Sequence, residues 1–255
     1  MTGARPQRLD DLRELVASVE PVVPAHERVL PVDPAFEQLL PAGGLRRGTV
    51  LWVGGASGAT TLALGLVAGP TRHGSWVGAL SVDSLGWPAA AELGVDLRRV
   101  AVVRAGGPDW PVAAAALVDA FDVVLCGPDH RPARRDVLRL AARARERGAV
   151  VVAFGGARQE RAWPGVHLRL HVESAHPARW YGTGRGWGHL TGRRLRVTVS
   201  GRHGVDRPRS VDLWSPGPDG VVSGPDGGPA ENPGAAPDTA PSGTARVLRF
   251  PSAPA

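Results

Sequence analysis

Lysine is missing from this 255-residue chain, so all 30 basic side chains are arginines. A site that needs a compact ammonium on a flexible stem must do without one, because a planar guanidinium fork is a different tool. Cysteine is nearly missing too. The single Cys126, set in an apolar stretch, excludes a disulfide scaffold and suits a reducing compartment. No apolar run is long enough to span a membrane as a helix. The opening MTGARPQRLDDLREL lacks the apolar core of a secretory signal, so a cytoplasmic protein is expected. The formal charge of +6 suggests acidic partners, with nucleic acid first among them and the nucleoid as a location. That hint is discounted: abundant Ala, Arg, Gly and Pro without lysine make arginine the default basic residue.

The stretch that organises the chain is Thr49–Leu64, TVLWVGGASGATTLAL. It reads as a strand, a glycine turn and a helix start, the layout of a phosphate-binding loop. In the motif G-x-x-x-x-G-K-[ST], backbone N–H groups cradle phosphates, the lysine reaches the β/γ oxygens and the hydroxyl holds Mg²⁺. Gly58 takes the second glycine, Thr60 the hydroxyl position and Thr61 the following turn, while Val53 replaces the first glycine and Ala59 the lysine. Gly54, Gly55, Ser57, Gly58, Ala59, Thr60 and Thr61 thus form a degenerate nucleotide-binding loop: the cradle survives without its charge. Arg46 and Arg47 precede the strand, at its far end from the loop. A buried strand-turn-helix with glycines at its turn is the plainer alternative.

Around this stretch the chain alternates. Short helices are expected over 8–18 and Asp33–Leu40, the first followed by a proline-rich connector. After the strand Thr49–Val53 come helices over Thr60–Val67, Pro88–Leu93, Trp110–Phe121 and Arg134–Arg147. Apolar strands over Trp76–Val82, Val100–Val103, Asp122–Cys126 and Ala149–Phe154 lie between them. Continuous apolar strands separated by helices indicate a parallel sheet covered on both faces. Beyond Gly155, VHLRLHVE (Val166–Glu173) and RRLRVTVS (Arg194–Ser200) alternate strictly, and Ser210–Trp214 is a third strand. Antiparallel strands extending the sheet are expected there. From Ser215 the composition turns to Gly, Pro, Ala, Asp and Ser, so a disordered tail is expected over 215–255, with an apolar-basic island at 245–250.

This order of motifs resembles the RecA family. PVDPAFEQLLPAGGLRRGTVLWVGGASGATTLAL matches its opening, a short helix and a GGL-x-x-G turn before the phosphate loop. SVDSLGWPAAAELGVDLRRVAVV matches the next segment, and FDVVLCGPDH takes the place of the second phosphate-site strand. The resemblance covers roughly Val32–Trp214 and implies a P-loop α/β core. Within the family the chain looks most like the actinobacterial ImuA-type accessory proteins of inducible mutagenesis. That likeness implies a role in the SOS response and translesion synthesis, docked to an ImuB-type Y-family polymerase relative and through it to an error-prone replicative-type polymerase. The departures carry weight. Gly127 stands where an aspartate should orient Mg²⁺, with Asp129 two residues late. Ser84 and Leu85 stand where a catalytic glutamate should follow Asp83, and Phe154-Gly155 replaces a polar sensor pair. The two DNA-binding loops are replaced by the short GPDHRPARRD and GGARQERAWPG. Neither ATP hydrolysis nor strand exchange is expected, and no cofactor, ATP and Mg²⁺ included.

Three further segments are candidate partner- or DNA-binding surfaces. Arg135, Arg139, Arg143 and Arg147 recur every four residues along one helix, either as a phosphate-tracking stripe or as a solvated face. RWYGTGRGW, with Arg179, Trp180, Tyr181, Arg185 and Trp187, suits stacking on unpaired bases, a protein interface or an ordinary hairpin covering the core. ARVLRF, with Arg246, Leu248, Arg249 and Phe250, reads as a docking peptide in a polar tail. His167 and His171 are two pleats apart on a strand, roughly 13 Å, and hold no metal together. The expected function is a non-catalytic accessory scaffold. Two alternatives stand beside it: a nucleotide-dependent DNA-binding ATPase, and a SulA-like inhibitor of cell division.

Overall fold

The computed structural model describes residues 29–55, 57–173, 180–183, 188–201, 205 and 207–228. The expected helix over 8–18, and Arg179, Arg185, Trp187, Arg246, Leu248, Arg249 and Phe250, lie outside the described residues. A two-stranded antiparallel ribbon, β1 (Val29–Leu30) with β2 (Leu45–Arg46), brackets the short helix α1 (Pro34–Glu37). Then follow β3 (Val50–Gly55), α2 (Ala59–Arg72), β4 (Val77–Leu80), α3 (Trp87–Glu92), β5 (Val100–Val103), α4 (Trp110–Ala120) and β6 (Val123–Cys126). The chain continues through α5 (Arg134–Arg147), β7 (Val150–Gly155), α6 (Ala157–Glu160), β8 (Leu168–Glu173), β9 (Trp180–Thr183), β10 (Gly188–Gly201) and β11 (Arg209–Trp214).

One sheet runs in the order β11-β10-β8-β3-β7-β6-β4-β5, with β9 paired to β10 off this path. The pairs from β8 to β5 are parallel and those from β8 outward are antiparallel. Helix α2 packs on one face over Leu51, Val53, Leu125, Val152 and Leu170; α4 and α5 pack on the other over Trp52, Val124, Cys126 and Val151. The strands β3, β4, β6 and β7 are buried on both faces, which is why they read as unbroken apolar runs. Helix α5 buries Val137, Leu140 and Ala144 at helical spacing and stops at Gly148, whose φ of 71° is the left-handed cap.

Three expectations need correction. Strand β8 is not antiparallel to the core: it runs parallel to β3, Leu51↔Leu168 through Gly55↔Val172, and only its outer side meets β10 antiparallel. Its alternation comes from one-sided cover. Leu168, Leu170 and Val172 are buried, while the other side carries Arg169 bonded to Glu160 and Glu173 bonded to Thr198. Helix α2 runs five residues past Val67, through Gly69 and Pro70. Gly69 sits against the Val32 backbone, where a Cβ would collide, so the glycine is a packing residue and not a stop.

The third correction concerns the tail. Residues 215–228 fold back on the sheet: the Trp214 and Ser223 backbones exchange hydrogen bonds of 2.9 and 3.0 Å. Trp214 Nε1 donates to the Pro225 carbonyl at 3.1 Å, and Val222 is buried beside Gly65 of α2. Among the described residues no helix is long and apolar enough to cross a membrane.

Candidate functional site

The parallel strands β3, β4, β6, β7 and β8 end at a common carboxyl edge, where open α/β sheets place their ligands. The loop after β3 is built of glycines that only glycine can fill. Gly55 has φ 137°, and a Cβ there would strike the Val172 carbonyl of β8. Gly54 lies over the Trp52 indole, whose Nε1 is buried and has no hydrogen-bond partner among the described residues. Gly58 has φ 95°, caps α2, and accepts the Leu62 N–H at 2.9 Å. The turn geometry anticipated from the sequence is therefore present, but each glycine is also explained by a protein neighbour. Ser57 and Thr60 are exposed and Thr61 half-buried, whereas Ala59, at the lysine position, is buried in the core.

A cation does reach this loop, from the other end of the chain. Arg193 of β10 is only 9% exposed and donates from Nη2 to the Ser57 hydroxyl. Burial lowers its pKa from the ordinary guanidinium value, yet an arginine in a protein keeps its charge. Sequence reading missed Arg193, although a signal was available. It is in phase with Leu195, Val197 and Val199, the buried side of β10, where an arginine is out of place. Arg47, by contrast, is committed at the amino edge, bonded to Asp122 at 2.8 Å and to the Gly148 carbonyl.

The edge after β6 is closed. A Cβ at Gly127 would collide with the Ser81 carbonyl, so no carboxylate fits there. Ser81 itself holds φ 53°, rare for a residue with a side chain, and bonds the Ala105 carbonyl through its hydroxyl at 2.6 Å. Asp129 is spent on the turn after β4, accepting from Ser84 N–H and Oγ at 3.1 Å each. Asp83 pairs with Arg104, Leu85 is buried, and Phe154 is 1% exposed. Among the described residues no group of His, Cys, Asp and Glu is arranged to hold a metal ion.

The arginine stripe on α5 divides in two. Arg143 and Arg147 both bond Asp119 of α4, at 2.7 and 3.1 Å, and the Arg143 bond holds the Asp119 carboxyl below its usual range. Arg135 lies 3.6 Å from Asp136. Arg131, Arg134 and Arg139 are exposed and form no ion pair among the described residues. Tyr181 of β9 packs edge-on against Trp214 at 4.7 Å, so this aromatic covers the sheet end. The side chain of Trp180 lies outside the described residues. His167, half-buried and in phase with Arg169 and exposed His171, accepts the Val50 N–H on Nδ1 at 3.0 Å, a structural bond of β3.

Comparisons with known proteins agree with this architecture. The KaiC-like protein PH0186 from Pyrococcus horikoshii OT3 matches with a TM-score of 0.55 at 16% identity, covering 76% of this chain and 98% of that one. The RadB recombinase matches with 0.55 at 13%, over the same shares. The flagellar accessory protein FlaH from Methanocaldococcus jannaschii matches with 0.51 at 9%, covering 73% and 93%. At these identities the likeness is one of fold, and the fold is RecA-like. In sequence, the chain is 34% identical over 155 residues to the uncharacterized protein Rv3395c of Mycobacterium tuberculosis (strain ATCC 25618 / H37Rv), covering 59% of this chain and 74% of that protein. Residues 38–165, from the end of α1 through the loop after α6, match the family described as the MT3502 N-terminal domain. The chain belongs to the MT3502 N-terminal domain family, on a RecA-like core.

Proposed function

We propose that this protein is a non-catalytic, ImuA-type accessory protein of DNA-damage-induced translesion synthesis. It presents surfaces to an ImuB-type Y-family polymerase relative, and through it to an error-prone replicative-type polymerase. The observation that carries the non-catalytic half is Gly127: the Ser81 carbonyl fills the place where a Mg²⁺-orienting carboxylate would have to stand. Buried Ala59 in place of the lysine points the same way. A phosphoryl-transfer site needs both charges, because its catalysis is almost wholly positioning and electrostatics.

The accessory half is supported by surface left over once structure is accounted for. Arg131 and Arg134 sit on the carboxyl-edge side, before and at the start of α5, and Arg139 lies further along it, all exposed and with no carboxylate partner among the described residues. Arg134 and Arg135 open α5, where the helix already carries partial positive charge, so the local field favours an acidic partner or phosphates. The test is capture of the ImuB-type protein by the full chain and by a chain ending at Gly228. The deletion must begin there and not at Ser215, since residues 215–228 belong to the packed core. Capture by the full chain and its loss on deletion supports a docking tail. Equal capture by both chains removes the tail from the account. Binding to the division GTPase in place of the polymerase relative favours the SulA-like alternative.

One observation favours a second reading, a nucleotide-dependent DNA-binding protein: Arg193 brings positive charge to the loop that lacks a lysine.

A further inference from the structure

Arg193 is fixed at both root and tip. Its backbone N–H donates to the Pro216 carbonyl at 3.0 Å, and its carbonyl accepts the Ser215 N–H at 2.8 Å. Its guanidinium ends on the Ser57 hydroxyl, 136 residues away in sequence. Two residues along, Leu195 closes on the same loop: a Cβ at Gly58 would stand 3.0 Å from Leu195 Cδ1 and 3.6 Å from Arg193 Nη1. The loop is thereby gripped from the antiparallel side by one arginine and one leucine of β10. From the other direction, Gly55 is pressed on the Val172 carbonyl of β8. Among neighbouring strands, β10 pairs with β8 and β8 with β3. Arg193 therefore reaches across one strand, β8, to touch the loop of the next.

We propose that Arg193 is a built-in strap, tying the C-terminal antiparallel strands to the phosphate loop and holding the loop in one conformation without a bound phosphate. Position explains why an arginine does this: its long stem lies along apolar surface while the head finds a polar acceptor. The consequence is mechanical. The loop and β10 move as one unit, so a partner that displaces β10 also frees the loop. The inference rests on loop geometry and not on the identity of any partner, so capture of the polymerase relative tests one reading and the loop tests the other.

The experiment is amide hydrogen exchange on the full chain, native against Arg193→Ala and Ser57→Ala, with pyrophosphate and Mg²⁺ titrated calorimetrically into the native chain. Exchange at Leu62, whose N–H bonds the Gly58 carbonyl, and over the next turn of α2 should quicken roughly tenfold or more in both variants, while in Ser57→Ala β3 and β7 keep their native protection. Pyrophosphate should give no saturable heat. Unchanged loop exchange in either variant overturns the strap. So does pyrophosphate that saturates the native chain and fails to bind Arg193→Ala, since Arg193 is then a ligand-binding cation. Ser57→Ala removes only a hydroxyl at an exposed position, so it decides the matter alone if Arg193→Ala does not fold.

Discussion

The loop after β3 and the turn after β6 share one edge of the sheet, yet they depart from a working phosphate site in different ways. The loop lacks its lysine but keeps its glycine turn, and Arg193 reaches it from two strands away. The turn lacks its aspartate and has also lost the room for one, because Gly127 lies against the Ser81 carbonyl. A charge at the end of a long side chain can be supplied from elsewhere in the fold. A short carboxylate at a strand end cannot, since its place is set by the backbone. The contrast assigns the irreversible part of the departure to β6.

The largest effects should come from the backbone. Gly55→Ala combines φ 137° with a collision on Val172 and should cost about 3 kcal/mol or more in urea unfolding. Gly127→Asp, made to restore a Mg²⁺ ligand, should cost about as much and bring no ATP turnover. A stable Gly127→Asp protein that turned over ATP would break the comparison at its firmer end. Arg193→Ala should be milder, about 2 kcal/mol, the range of a buried hydrogen bond to a charged group.

Cys126 reports on the β6 end by pH. Burial pushes its thiol from 9.0 up to about 12, so the folded state keeps a proton that the unfolded chain releases. This contribution is complete below pH 9 and is lost as pH rises from 9 toward 12. Over that window stability should fall by up to about 1.4 kcal/mol per pH unit more than in Cys126→Ala. Unfolding curves of the two proteins at pH 8 and 10 check it, and equal slopes would mean the strand end is open. The smallest effect concerns the surface. Arg143→Ala, which loses the solvent-screened Asp119 pair, should lower stability only slightly, and less still in high salt. Arg139→Ala should leave stability unchanged, so any loss of acidic-partner binding there is a surface effect.

Much of this was legible in the sequence, and the exceptions have physical reasons. The doubly covered strands announced themselves as apolar runs, and Gly148 closed α5 where a left-handed cap was expected. Helix α2 read short because Gly69-Pro70 looks like punctuation; only the approach of Val32 shows the glycine to be a packing residue. The direction of β8 was hidden because one-sided burial produces alternation in either direction. Residues 215–228 read as disordered from composition, yet one valine and one tryptophan anchor them. The loop's departures were visible letter by letter, while the closure at Gly127 depends on Ser81, 46 residues earlier, and needed the fold.

The most direct test of the account is a calorimetric titration of ATP with Mg²⁺ into the full chain, with and without single-stranded DNA. The account predicts no saturable heat in either case. Stoichiometric binding followed by phosphate release would contradict it and make the chain a nucleotide-dependent enzyme.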